Sequence, residues 1–149
     1  LCTMKRIYND INLEKRNSFG VKQQANMLVE FETADELREA LEELRPTKWY
    51  VLGAGNNTLF TADYDGVLFT PVCSRRTILK DDGEWVDVCV EAAHDWDEFV
   101  AWSVDSGLWG VENLSAIPSS VGAAPVQNIG AYGAEVKDAI TVIEYFDTS

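Results

Sequence analysis

Two stretches of small, uncharged residues are the parts of this sequence best suited to hold a flat or anionic ligand. The first directly follows an apolar run and reads G-A-G-N-N at residues 53–57. The second, residues 117–133, reads I-P-S-S-V-G-A-A-P-V-Q-N-I-G-A-Y-G and contains no charged side chain. Small residues let another molecule approach the backbone, and successive main-chain amides form concave anion sites. Both stretches therefore predict a site built from backbone N–H groups.

Each stretch also has a purely structural interpretation. The first is consistent with an ordinary turn at the end of a strand, and the second with a tight packing corner between two layers. No Gly-Lys-Ser/Thr follows residues 53–57, and the third glycine of a dinucleotide fingerprint is missing. The first stretch is therefore neither a Walker loop nor a Rossmann fingerprint. The residues alone leave both interpretations open.

Net charge limits the partners of this 149-residue chain. It carries 25 acidic against 12 basic side chains, a net charge of −13. No basic patch offsets this charge, so nucleic acid and anionic membrane surfaces are not expected partners. An anionic ligand could not be held by general attraction and would need local donors.

The remaining reactive side chains predict little further chemistry. Cysteines at positions 2, 73 and 89 fit no paired-ligand spacing, which favours a reduced, cytoplasmic protein with no signal peptide or membrane span. His94, Asp95 and Asp97 are close in sequence, but they stand at the start of a predicted helix, where acids are favourable. No metal site is predicted. The pair at residues 75–76, both arginine, is either a solvated corner or a contact for an anionic substrate.

The first half of the chain has the pattern of a β-α-β unit. Residues 26–32 predict a strand, and Thr33 with Glu36 forms a capping box that begins a helix. A second strand at residues 49–52 leads into the glycine stretch, and a third is expected at residues 66–72. The carboxyl end of such strands is where α/β sheets often bind ligands. Residues 1–18 are expected to be an irregular N-terminal extension.

The second half has a different pattern, with a boundary near residue 73. Residues 77–80 and 84–92 predict a hairpin that turns at residues 81–83. Asp95 is expected to cap a helix that ends at Gly107. Residues 139–146 are apolar on both faces and predict a last, central strand.

Together these motifs resemble a known flavoenzyme family. The segments G-A-G-N-N-T-L-F, D-Y-D-G-V and G-V-E-N-L-S-A-I-P-S-S-V-G-A-A-P-V-Q-N-I-G-A-Y-G-A-E-V-K-D are similar to UDP-N-acetylenolpyruvoylglucosamine reductase. The N-S-F-G at residues 17–20 stands where that family has a short flavin-proximal motif. The resemblance extends from about Asn17 to the end of the chain.

The resemblance implies an α+β fold, the two-lobed FAD-binding domain of the vanillyl-alcohol-oxidase (PCMH) type. Residues 1–18 would precede a small β-α-β lobe at residues 19–72. Residues 73–149 would form an antiparallel-sheet lobe with flanking helices, incomplete at its C-terminal end, with FAD between the lobes and the substrate domain absent. A homodimer that covers the incomplete edge is one arrangement that the sequence allows.

The implied activity is NADPH-dependent reduction of UDP-N-acetylenolpyruvoylglucosamine to UDP-N-acetylmuramate, in bacterial peptidoglycan synthesis, with FAD as cofactor. In the resembled family the reacting arginine, serine and glutamate would fall after Ser149. No catalytic residue is therefore assigned, and this chain alone is expected to be inactive. Alternatives are another FAD-linked oxidoreductase of the same superfamily, or a non-catalytic nucleotide-binding or scaffold fragment.

The resemblance also implies which residues hold the cofactor. Those expected to bind the FAD pyrophosphate are Gly53, Ala54, Gly55, Asn56 and Asn57. Those expected to lie along the flavin and the rest of the cofactor are Ile117, Pro118, Gly122, Ala123, Ala124, Gln127, Gly130 and Tyr132. The chain departs from the family at two positions, with Asn56 in place of a usual serine and Ser119 in place of a usual glycine. These departures predict a reduced affinity for FAD.

Overall fold

The structure, a computed structural model, describes residues 5–148. The chain divides into two compact units, Leu1–Cys73 and Ser74–Ser149. Each unit has a hydrophobic core of its own. None of the helices in residues 5–148 has the length and apolarity needed to cross a membrane.

The first unit is built on a four-stranded sheet. Its strands are β1 (Arg6–Asn12), β2 (Gln24–Phe31), β3 (Trp49–Val51) and β4 (Tyr64–Pro71), in the order β1-β2-β4-β3. β2 and β3 both pair in parallel with β4, whereas β1 pairs antiparallel with β2. The predicted β-α-β unit is therefore present, with β4 lying between the two strands that the helix connects.

Helix α1 (Ala34–Leu44) begins at the predicted capping box. The Thr33 side chain accepts from the Glu36 backbone N–H, and the Glu36 carboxylate accepts from the Thr33 N–H. Leu37 and Ala40 are buried on its inner face. A separate cluster fills the space beside the sheet, and it consists of Leu13, Ala25, Leu28, Leu52, Phe60 and Leu68. The predicted strands and helix of the β-α-β unit, and the third strand after it, are therefore confirmed.

The prediction for the N-terminal residues is wrong where they are described. Residues 6–12 were expected to be irregular but form β1, an edge strand in register with β2 from Arg6 opposite Glu30 to Asn12 opposite Gln24. Its sequence, R-I-Y-N-D-I-N, has no regular alternation of apolar and polar side chains, and five of its seven residues are exposed. Pairing with β2 supplies the stability that the local pattern does not signal.

The second unit opens with the predicted hairpin. β5 (Arg76–Asp81) and β6 (Val86–Val90) pair antiparallel, and the valines of β6 alternate with exposed residues. Helix α2 (Trp96–Asp105) is capped by Asp95, whose carboxylate accepts from the Glu98 N–H. It ends as predicted with Gly107 at φ +72°, where the Gly107 and Leu108 amides bond back to the last turn.

Short elements complete the second unit. They are α3 (Ala124–Gln127), β7 (Gly130–Ala131) and β8 (Ala134–Glu135), with β7 and β8 paired antiparallel. The Trp96 indole donates to the Leu114 carbonyl at 2.8 Å, which satisfies the only polar atom of this buried ring. The core around it consists of Trp96, Val100, Val111, Leu114, Ala124, Ile129 and Val136.

The predicted last strand does not form. Residues 139–146 contain no strand, and the apolar side chains of Val142, Ile143 and Tyr145 are exposed. An apolar run becomes a strand only when a neighbouring strand completes its ladder of hydrogen bonds. Among residues 5–148 no strand pairs with this segment.

Candidate functional site

The glycine loop, residues 53–57, lies at the carboxyl end of β3. The Leu52 amide bonds to the Phe69 carbonyl at 2.9 Å, after which the chain leaves the sheet and turns. Within residues 5–148, none of the five backbone amides of this loop donates a hydrogen bond to a protein group. Gly55 has φ +72°, a conformation that favours glycine. The loop therefore offers consecutive unpaired donors.

A second loop, residues 17–20, packs against the glycine loop from the same unit. A Cβ on Gly55 would overlap the Arg16 carbonyl oxygen and lie 2.9 Å from the Asn17 Cα. The Ser18 amide donates to the Gly55 carbonyl at 3.1 Å, and the Ser18 hydroxyl donates to the Asn56 carbonyl at 3.2 Å. The carbonyls of the glycine loop are thus held by Ser18, and its amides are left for another acceptor.

The buried amide of Asn17 keeps this second loop in shape. Its Nδ2 donates to the carbonyls of Leu13 and Val21 at 2.6 and 3.2 Å, and its Oδ1 accepts from the Val21 amide at 3.1 Å. The motif at residues 17–20 was predicted to lie close to the cofactor. The structure brings it against residues 55 and 56, which supports that interpretation.

The second small-residue stretch is attached to the end of β6. The Val121 amide bonds to the His94 carbonyl and the Gly122 amide to the Ala92 carbonyl, both at 2.9 Å. The Trp96 amide bonds to the Ser119 carbonyl at 3.0 Å. This stretch therefore runs against the segment that leads into α2.

Gly122 is a packing position. A Cβ there would lie 2.7 Å from the Ala92 Cβ, closer than real Cβ atoms approach, and 3.0 Å from the Ala92 carbonyl oxygen, which is tight. The amides of Ala123, Ala124 and Gln127 bond to carbonyls within the stretch itself. The hypothesis that this stretch offers free main-chain donors is therefore wrong for these four residues. Here the packing-corner interpretation describes the structure, and contacts with a ligand would come from small surfaces and side chains.

Ser119, which replaces a family glycine, does not project from the surface. Its side chain is buried, with the residue only 3% exposed. The Ser119 hydroxyl donates to the Ser120 carbonyl at 3.1 Å and accepts from the Gln127 side-chain amide at 3.4 Å. The hydroxyl therefore points into the second unit, and the reduced affinity for FAD expected from this departure stays a prediction.

The end of the stretch is a tight hairpin that presents an aromatic ring. Tyr132 and Gly133 have φ +52° and +81°, and they form the two-residue turn between β7 and β8. The Tyr132 residue is 94% exposed. A Cβ on Gly130 would lie 3.1 Å from the Ala134 carbonyl oxygen. Of the other predicted residues, Ile117 packs against the core of the second unit and Pro118 is exposed.

A carboxylate fixes the entry to the second stretch. Asp97 Oδ1 accepts from the Ala116 amide at 2.6 Å and from the Ser115 hydroxyl at 2.7 Å. The hydrogen bond from the Ala116 amide, and to a smaller extent that from the Ser115 hydroxyl, holds the pKa of Asp97 below its usual value. Ala116 has φ +60°, so the contact holds a turn that a non-glycine residue rarely adopts. This role could not be predicted from the sequence, because Asp97 has the ordinary features of an acid in the first turn of a helix.

The two arginines at residues 75–76 are exposed, as the solvated-corner interpretation expects, but each contacts a neighbouring side chain. The Arg76 guanidinium lies 4.7 Å from the centroid of the Trp102 ring, and its Nη1 is 2.9 Å from His94 Nε2. Arg75 forms an ion pair with Glu91 at 2.8 Å, and its hydrogen bond lowers the pKa of that carboxyl. Across residues 5–148, no group of three His, Cys, Asp or Glu side chains is arranged to hold a metal ion.

Comparison with known proteins defines the class. Residues 25–148 match the family described as FAD binding domain. That match covers most of the chain, which therefore belongs to the FAD binding domain family.

The relatives within that class share one name. The chain is 42% identical over 143 residues to UDP-N-acetylenolpyruvoylglucosamine reductase of Pseudomonas fluorescens, covering 95% of this chain and 42% of that protein. It is 38% identical over 132 residues to the reductase of the same name from Flavobacterium johnsoniae, covering 89% and 39%. The resemblance stated from the sequence is confirmed. The chain spans about two fifths of the length of the curated relatives it matches.

A solved structure agrees with this class. The crystal structure of UDP-N-acetylenolpyruvylglucosamine reductase (MurB) from Thermus caldophilus superposes with a TM-score of 0.71 at 24% identity, covering 91% of this chain and 47% of that one. At that identity the likeness shows the fold. With the family match, it confirms the predicted α+β FAD-binding fold.

Proposed function

We propose that this chain is the FAD-binding portion of an NADPH-dependent reductase that converts UDP-N-acetylenolpyruvoylglucosamine to UDP-N-acetylmuramate in peptidoglycan synthesis. Its relatives carry that enzyme's name over most of this chain. No residue of this chain is assigned to the chemical step, so we expect the 149 residues alone to lack reductase activity. A cytoplasmic location, a UDP-sugar substrate, a homodimer and the absence of nucleic-acid or membrane partners belong to the same proposal.

The observation that carries the proposal is the run of unpaired amides in the glycine loop. A pyrophosphate needs several donors, and in a chain of net charge −13 these must be local. The fit of FAD to this loop is supported by the exposure of Gly53, Ala54 and Asn57. Successive N–H groups of this kind form anion-binding concavities.

The second unit would contribute surface and side chains. We propose that the residues at the packing corner, Gly122 and Ala123, give a ligand close access, and that the Gln127 amide and the Tyr132 ring offer a polar contact and a flat face. The remaining proposed contacts are Ile117, Pro118, Ala124 and Gly130. When bound, FAD supplies the hydride chemistry, and the protein supplies binding and orientation.

The test is direct binding of FAD to the purified chain. We expect flavin absorbance in the purified protein, or a rise in melting temperature when FAD is added. A ligand present at about 100 times its Kd stabilises a protein by about 2.7 kcal/mol. A melting temperature that does not respond to FAD, together with no bound flavin, would overturn the proposal in favour of a scaffold fragment.

A matched pair of variants tests where FAD binds. Asn57→Asp adds one negative charge to the glycine loop with almost no change in shape, and we expect the FAD affinity to fall by about tenfold. Asn26→Asp makes the same change at an exposed position of β2, away from that loop, and should leave the affinity unchanged. Equal effects of the two substitutions would mean that only net charge matters and would contradict the assigned loop.

Activity provides a second check. NADPH oxidation with the enolpyruvyl substrate should be undetectable for the 149-residue chain, even when it is loaded with FAD. Measurable turnover would show that the reacting groups are within these residues, and would contradict that part of the proposal.

A further inference from the structure

We propose that Glu30 and Arg16 form a positioning pair that sets the glycine loop in the geometry needed to hold a pyrophosphate. The inference rests on the proposed function, because it concerns the same loop. Neither residue is predicted to touch the ligand. Both lie in the first unit, Glu30 on β2 and Arg16 just before the loop at residues 17–20.

Glu30 is a buried carboxylate with every oxygen engaged. Its side chain is 8% exposed. Oε1 accepts from Arg16 Nη2 at 2.8 Å, and Oε2 accepts from the Tyr8 hydroxyl at 3.2 Å, with Arg6 Nε at 3.7 Å. A buried charge requires such partners, and in return it restricts them to one arrangement. Arg16 is therefore anchored to the sheet by its side chain.

The backbone of Arg16 packs directly against the glycine loop. Its carbonyl oxygen and the Asn17 Cα occupy the space beside Gly55 where a Cβ would stand. The next residue, Ser18, donates from its amide to the Gly55 carbonyl and from its hydroxyl to the Asn56 carbonyl. A continuous chain of contacts therefore runs from the Glu30 carboxylate through Arg16 and Ser18 to the glycine loop.

The glycine loop depends on this support because it has little of its own. Its five amides have no protein acceptor within residues 5–148, and Ser18 holds its carbonyls at Gly55 and Asn56. Donors that bind a ligand must be held to within about 0.5 Å of the productive geometry by their surroundings. If Arg16 moved, the loop would keep its sequence but lose the alignment of its N–H groups.

The experiment compares FAD with riboflavin, which has the same ring system but no phosphate. Arg16→Met removes the charge while Glu30 keeps Tyr8 and Arg6. We expect the FAD affinity to fall by about tenfold and the riboflavin affinity by less than about twofold, because only the phosphate contacts are misaligned. Arg16→Lys retains the charge without the planar fork, and it should recover part of the FAD affinity. The control is Lys5→Met, which breaks the exposed Lys5–Glu43 pair of the same unit.

The outcomes separate this inference from the proposed function. If the unmodified chain fails to bind FAD, the proposed function fails. If that chain binds FAD and Arg16→Met keeps its preference for FAD over riboflavin, only this inference fails. An equal loss for both ligands, or the same loss in Lys5→Met, would indicate general loosening and would also overturn it. Circular dichroism confirms folding, and if Arg16→Met does not fold, the same ratio measured on Arg16→Lys decides, with a drop of about threefold expected.

Discussion

The two small-residue stretches have similar compositions but use their backbones in opposite ways. In the glycine loop, residues 53–57, the amides have no protein acceptor within residues 5–148. In residues 121–124 and 127, the amides all bond to protein carbonyls. Small residues therefore leave backbone donors accessible in the first unit and allow close packing in the second. Composition alone does not distinguish these two roles. In both, small side chains leave space beside the backbone, which is open to a ligand in the first stretch and filled by protein in the second.

The difference follows from what stands beside each stretch. The glycine loop leaves the sheet after β3, a three-residue edge strand, so no further strand faces its amides. The second stretch runs beside the segment between β6 and α2, where the carbonyls of His94 and Ala92 accept from Val121 and Gly122. Its amides at residues 123, 124 and 127 bond to carbonyls within the stretch itself. The first stretch thus offers backbone hydrogen-bond donors, and the second offers mainly a shaped surface.

The largest effect is expected from Gly55→Ala. This glycine combines φ +72° with the close approach of Arg16 and Asn17, so alanine adds both backbone strain and overlap. We expect a loss of about 2–5 kcal/mol in the free energy of unfolding of the first unit, together with loss of FAD binding. Denaturant unfolding and FAD titration measure the two effects.

Gly20→Ala is the matched control for that substitution. Gly20 has φ +64° but nothing within 4 Å of the added Cβ, so it carries the backbone strain without the overlap. We expect it to cost only about 1–2 kcal/mol. If the two variants were equally stable, the packing of residues 16–17 against the glycine loop would not matter.

A smaller effect is expected from Gly122→Ala. No left-handed backbone is involved, and the cost comes from overlap with Ala92 alone. We expect a destabilisation of about 1–3 kcal/mol, measured by denaturant unfolding. Because the nearest atom is the Ala92 Cβ, the double variant with Ala92→Gly should recover part of the loss, and a double-mutant cycle gives the coupling. Strictly additive effects would contradict the packing role of Gly122.

The sequence predicted elements whose signals are local. The capping box at Thr33 and Glu36, the hairpin around residues 81–83 and the cap at Asp95 all appear as expected. In each case the residues that form the signal contact one another within a few positions, so the sequence contains the whole interaction. The resemblance supplied the fold, because the motifs it rests on are long and specific.

The sequence failed where a distant partner decides the outcome. β1 forms because β2 is beside it, although its own residues are mostly polar. Residues 139–146 are apolar but remain outside any sheet, because no strand among residues 5–148 pairs with them. In the same way, the amides of Val121 and Gly122 are paired because of Ala92 and His94, residues that the local pattern does not identify.

The two stretches also differ in how their supporting contacts respond to pH. Ser18, a neutral side chain, holds the glycine loop, whereas the Asp97 carboxylate holds Ser115 and Ala116 at the entry to the second stretch. The pKa of Asp97 is lower in the folded protein than its ordinary value of 3.8. The folded state therefore binds this proton less readily than the unfolded state. The stability that Asp97 contributes is complete above its ordinary pKa and is lost as the pH falls through the lower, folded value.

Asp97→Ala should consequently lower the melting temperature at pH 6 to 7, but by less than the glycine substitutions above, because the carboxylate is exposed. We expect the difference from the unmodified chain to shrink as the pH falls below about 4, where the carboxylate becomes protonated. Glu98→Ala removes the same charge from the next residue, which has no comparable contact, and should show a smaller difference. A gap for Asp97→Ala that stayed constant down to about pH 2 would mean that its charge does not hold the turn. The second stretch would then be held by its packing and by its backbone hydrogen bonds to residues 92–96.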